Sequence, residues 1–91
     1  MFIVTEAASA RLASKLTKKN AGQDVALRLI PSVKAGGWSL QLGCAGPSDI
    51  TYLHDGRIVL ILDESSSHRV RNKTLDVRNT DEGPKLRLRA C

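Results

Sequence analysis

Cys44 and Cys91 are the residues of this 91-residue chain best suited to chemistry, since a thiolate is a soft anionic ligand for iron and other transition metals. Metal sites ordinarily take three or four protein ligands, so two thiolates per chain fall short unless two copies pool them. Each cysteine also has a plainer explanation. Cys44 opens the turn Cys44-Ala-Gly-Pro-Ser48 as a small hydrophobe, and Cys91 is the last residue of the sequence, where ordering a ligand is costly. His54 sits in the turn His54-Asp-Gly56 with no partner specified. Glu64 and His68 are four apart, one face of a helix, with Asp63 beside them, but a structural metal site wants three or four ligands and no His-Glu-x-x-His occurs. Ser65-Ser66-Ser67 lacks a Gly-x-Ser-x-Gly elbow. Gly36-Gly37 and Gly43-Cys-Ala-Gly46 lack the Gly-Lys-Ser/Thr of a phosphate loop and the strand–glycine–helix setting of a dinucleotide site. No catalytic constellation emerges, and the expectation is a protein that is not an enzyme and has no resident cofactor.

These residues must be positioned by one small domain spanning 1–91, because 91 residues divided in two would leave neither half a core. Aromatic content is 3% (Phe2, Trp38, Tyr52), so the core must come from Leu, Ile, Val and Ala, and a base-stacking platform of several rings is excluded. Two cysteines are too few for a disulfide-stapled secreted domain, and the first residues lack a basic stretch followed by a long apolar one; the expected setting is cytoplasmic. The longest apolar run, Ile58–Leu62, falls far short of the roughly 18 residues that cross a bilayer, so no membrane association is expected.

The net charge of +5 is uneven: residues 1–45 carry +4 and residues 46–91 carry +1. Such an excess attracts anionic partners and also serves as a solubility device. Lys15 and Lys18 on the first helix and Lys85, Arg87 and Arg89 on the last strand are the candidates for a basic anion-binding surface facing an acidic partner.

Phe2–Val4 reads as a short strand. Thr5 can cap a helix from Glu6, with Ala8, Leu12 and Leu16 as its apolar stripe and Asn20-Ala-Gly22 as its end. A strand from Val25 to Ile30 closes at Pro31, and Trp38, Leu40 and Leu42 alternate with Ser39, Gln41 and Gly43 after the turn Lys34–Gly37. Ile50–Leu53 and Arg57–Leu62 flank an Asp-Gly turn, a strong hairpin signal. Asp63–Val70 reads as a short helix or turn and Thr74–Val77 as a strand. After the turn cluster Asn79–Pro84, the last strand alternates Lys85, Arg87 and Arg89 with Leu86 and Leu88. The expected class is α+β: a small, mostly antiparallel bent sheet or flattened barrel with one N-terminal helix and a short second helix. The expected core is Leu12, Leu16, Leu27, Leu29, Leu40, Ile58, Leu60, Leu62, Leu75, Val77, Leu86 and Leu88.

The order of these pieces resembles the HesB/IscA-like domain of A-type iron–sulfur carriers over nearly the whole chain. The resemblance rests on Phe-Ile-Val-Thr-Glu-Ala-Ala at the front, Ala-Leu-Arg-Leu-Ile and then Gly-Gly in the middle, and Asp-Gly-Arg-Ile-Val-Leu-Ile-Leu-Asp followed by Thr-Leu-Asp-Val. It implies three cluster-ligating cysteines, one after a glycine turn and two in a Cys-x-Cys motif past the last strand. Here Trp38 follows Gly36-Gly37, and an indole donates one N–H but cannot replace a thiolate. The other end reads Leu86-Arg-Leu-Arg-Ala-Cys91, with no Cys-x-Cys. The favoured expectation is therefore a non-catalytic HesB-like binding or accessory module, its protein partner unspecified, that has lost most of the ligands. The alternatives are a cluster carrier using Cys44 and Cys91 across a homodimer, and the basic anion-binding module.

Overall fold

The structure, a computed structural model, describes residues 2–22, 24–32 and 37–90. Nine elements follow in order: β1 (Ile3–Val4), α1 (Glu6–Lys18), β2 (Ala26–Ser32), β3 (Gly37–Gly43), β4 (Ile50–His54), β5 (Arg57–Leu62), α2 (Glu64–Val70), β6 (Lys73–Thr80) and β7 (Gly83–Ala90). This is the expected order of an α+β domain. The strands form two sheets, β1-β6-β7 and β3-β2-β5-β4, and among the described residues neither closes into a barrel. Three pairings are antiparallel, while β1 with β6 and β2 with β5 are parallel, so the sheets are mixed.

Both helices start where capping chemistry puts them. The Thr5 hydroxyl accepts from the Ala8 N–H at 3.1 Å and donates to Asp76 at 2.9 Å, tying the start of α1 to β6. The Asp63 carboxylate accepts from the Ser66 N–H at 2.7 Å and starts α2. Asp55 (φ 51°) and Gly56 (φ 79°) supply the two positive φ values of a two-residue hairpin turn.

Two boundaries differ from the expectation. β2 runs through Pro31 to Ser32, because β5 pairs only with Leu27 and Arg28; beyond them the strand has β3 as its partner and tolerates a residue without N–H. The turn cluster 79–84 tightens to Asp81-Glu82, with Asn79 and Pro84 paired across the hairpin and Gly83 at φ 104°.

Seven of the twelve expected core residues are buried: Leu12, Leu16, Leu27, Leu29, Leu60, Leu62 and Leu75. Leu40, Ile58, Val77, Leu86 and Leu88 are only half-buried. Ile58 is displaced by a β-bulge. Tyr52 pairs with Leu60 and Leu53 with Ile58, which leaves Val59 as an extra residue on β5. The bulge resets the alternation, so Val59 and Leu60 both join the core cluster while Leu53, opposite Ile58, is 58% exposed. Phe2, Ala8, Ala26, Ile61 and Val70 complete the interior.

Candidate functional site

Between the two sheets lies a cleft of about 420 Å³, floored by Leu29 and Leu40 from one sheet and Leu75, Leu86 and Leu88 from the other. The strand register assembles it. Leu29 pairs with Leu40 and Pro31 with Trp38, while Leu75 pairs with Leu88 and Val77 with Leu86, so each pair presents two side chains on one face. Gly37, Trp38, Ser39 and Lys73 complete the lining. Trp38 is half-buried, and the Arg69 guanidinium at the end of α2 lies 5.4 Å from its ring centroid, within cation–π range.

Lys73 occupies the inward phase of β6, two residues before Leu75 and four before Val77, where alternation would put an apolar side chain. It is the charged member of the cleft lining and is half-buried, and among the described residues it forms no ion pair. Lys73 and Arg69 escaped the sequence reading. The legible signal was the phase of Lys73-x-Leu75-x-Val77; nothing in the sequence placed Arg69 over Trp38.

Cys44 lies elsewhere. It follows β3 at the end opposite Trp38, six residues along an extended strand, or about 20 Å. It is exposed and unpaired by disulfide. The connection it begins must carry the chain from β3 to β4, the two opposite edges of their sheet. Arg28 anchors that crossing, donating to the Cys44 carbonyl at 3.2 Å and pairing with Asp49 at 2.6 Å, and Asp49 also accepts the Gly46 N–H at 2.7 Å. The hydrogen bond from Arg28, followed by that from Gly46, holds the Asp49 carboxyl below the ordinary carboxylate value, and the same contact raises Arg28. Cys91 lies outside the described residues.

The remaining candidates do not converge. Among the described residues no three Cys, His, Asp or Glu side chains gather as a metal site would require. His54 has its Nε2 3.5 Å from the exposed Asp55 carboxylate in the hairpin turn. Glu64 and His68 do share a small hollow of about 250 Å³ with Ser67, Arg71 and Ile50, but Asp63 is engaged in capping α2. Ser66 is buried and Ser65 exposed.

The basic residues divide into two groups. Lys85, Arg87 and Arg89 alternate with Leu86 and Leu88 and so project from the hairpin face opposite the cleft, Lys85 joined to Glu82 at 2.9 Å and Arg89 to Asp76 at 3.5 Å. On α1, burial first and then the charges of Arg11, Lys19 and Lys18 lower the Lys15 pKa. The core cluster joins α1 to Leu75, on the other face of β6 from the hairpin cations. Lys15 and Lys18 thus stand on a helix whose apolar stripe shares its core with Leu75, while Lys85, Arg87 and Arg89 project from the other face of the hairpin.

No protein-family model matches the chain, and no curated protein matches its sequence. In fold it is similar to Escherichia coli SufA, a protein involved in biosynthesis of iron–sulfur clusters, with a TM-score of 0.76 at 18% identity over 98% of this chain and 84% of that one. It is likewise similar to IscA solved with a [2Fe-2S] cluster, with a TM-score of 0.61 at 18% identity over 99% of this chain and 85% of that one. The chain thus has the fold shared by these two proteins, as the order of its sequence elements led one to expect.

Proposed function

We propose that this chain is a non-catalytic accessory module of iron–sulfur cluster assembly, one that keeps the fold of SufA and IscA and uses its inter-sheet cleft to bind rather than to ligate a cluster. The observation that carries this reading is the content of the cleft: an indole, five leucines, one serine, one glycine and one ammonium, with no thiolate, imidazole or carboxylate to hold iron. An iron–sulfur cluster, as cargo, does not fit the donor set of the described residues, among which no three Cys, His, Asp or Glu side chains gather. A second reading is favoured by Cys44, an exposed thiol on a connection pinned by Arg28 and Asp49; a homodimer could hold a cluster with Cys44 and Cys91 from each copy.

Anaerobic reconstitution with iron and sulfide, followed by visible absorbance and iron analysis, separates the two. The accessory reading expects no stoichiometric cluster on the native protein, nor on Trp38→Cys, which restores one thiol and leaves the others missing. A stoichiometric cluster on Trp38→Cys overturns that reading. A cluster on the native protein that disappears in both Cys44→Ser and Cys91→Ser establishes the homodimeric carrier in its place.

A further inference from the structure

We propose that the inter-sheet cleft is a binding site for a small aliphatic carboxylate, with its hydrocarbon tail against Leu29, Leu40, Leu75, Leu86 and Leu88 and its carboxylate on the Lys73 ammonium. The proposal rests on the reading of the cleft as a binding site and adds what it binds.

Size comes first. The cleft measures about 420 Å³. That is the scale of a medium-chain fatty acid such as decanoate and lies within the range of small-ligand pockets. Lining comes second. The floor is hydrocarbon from both sheets, and the charged side chain that lines it among the described residues is Lys73, with Ser39 and Gly37 on either side of Trp38. A ligand apolar along its length with one charged end matches that distribution.

Charge decides the sign. Lys73 is on the inward face of β6, half-buried and without a carboxylate partner among the described residues, while Asp76 and Glu82 of the hairpin are committed to Arg89 and Lys85. Arg69, lying over Trp38, adds a second positive charge at the Trp38 side of the cleft. An anion gains from both charges, and a cation would be repelled by both. The register pairs Lys73 with Ala90, at the end of the hairpin away from its turn, so the ammonium stands at one end of the row of leucines, as a head-group site should.

Trp38 is the protein's one tryptophan, so its fluorescence reports on the cleft directly. The metal-free protein is titrated with decanoate, decanol and decyltrimethylammonium below their micelle concentrations, at fixed salt, with calorimetry as a second readout. Saturable binding of decanoate is expected, about tenfold tighter than decanol, with none of the ammonium compound. Lys73→Gln should bring decanoate down to the decanol affinity, and Lys85→Gln, on the opposite face, should leave it unchanged. Acetyl-Leu-Leu with a free carboxylate is a further arm, and tighter binding of that peptide than of decanoate would replace the fatty acid with a protein C-terminus and overturn the proposal. It is also overturned if neither readout shows saturable decanoate binding, or if the Lys73 variant binds decanoate as the native protein does. Circular dichroism on both variants excludes misfolding as the cause. Because the titration needs no metal, its failure leaves the cluster reconstitution result standing, and the reverse holds equally.

Discussion

The bulge in β5 makes two leucines on adjacent strands, Leu60 and Leu53, behave very differently when truncated. Leu60 is fully buried, paired with Leu27 on β2 and Tyr52 on β4, at the centre of the four-stranded sheet. Leu60→Ala removes three carbons, about 2.4 kcal/mol of transfer free energy at ~0.8 kcal/mol per methylene. The void is bounded by strands held on both sides by ladder hydrogen bonds and collapses only in part, which brings the expected loss to about 3–4.5 kcal/mol. Against a total stability of about 5–14 kcal/mol for a chain of this length, that is a large fraction. Leu53, one step past the bulge and 58% exposed, should cost less than about 0.5 kcal/mol on truncation. Urea unfolding followed by far-ultraviolet circular dichroism gives both values, with an unchanged denaturant slope showing that stability alone has moved. A Leu60→Ala loss below about 1 kcal/mol, the centre of the range for ordinary point substitutions, or a Leu53→Ala loss equal to it, would refute the placement of the bulge.

Two further outcomes follow from the charges. Asp49 is held below its usual value of 3.8 by Arg28 and Gly46, so the unfolded chain takes up the proton first; its contribution is complete above that value and is lost as pH falls through the lower folded one. Unfolding midpoints between pH 6 and pH 3 should therefore decline less steeply in Asp49→Asn, and an unchanged decline would show that the Arg28 contact has no part in acid stability. Replacing Lys85, Arg87 and Arg89 with Gln should lower the salt at which the protein leaves a heparin column, replacing Lys15 and Lys18 should do so separately, and the two effects should add because the groups occupy different faces; elution unchanged in the fivefold variant would return all five to plain solubilising surface.

The elements were legible because their signals are local. Thr5 before Glu6, Asp55-Gly56 between apolar runs and the alternation of Leu86 and Leu88 each state their structure within a few residues. What escaped depends on partners distant in sequence. The parallel pairing of β2 with β5 joins residues more than thirty positions apart, and Val59 and Ile61 are buried on a strand that alternation alone would have left half-exposed. The Arg28–Asp49 pair likewise exists only because the chain must cross from one edge of a sheet to the other. The candidate site divides in the same way. Trp38 is recognisable from its place after two glycines, whereas Arg69 reaches it from α2, whose polar Asp63–Ser67 start suits a turn as well as a helix.

The cleft asks for an explanation that packing alone does not supply. This chain excludes Leu12, Leu16, Leu60 and Leu62 from solvent completely, so it is able to close a core. Yet Leu40, Leu86 and Leu88, from two different sheets, remain half-exposed around a single space. Burying their remaining apolar surface would gain about 25 cal/mol per Å², and scattered exposed leucines need no account, but adjoining ones lining one opening do. Lys73 sharpens the point. An ammonium with no ion-pair partner among the described residues, on the inward face of a strand, disfavours further closure of the two sheets, because closure would strip it of water without giving it one of their carboxylates. The same residue that keeps the leucines from closing on each other is the one placed to receive an anion, and an aliphatic carboxylate answers both demands at once by covering the leucines and pairing the charge.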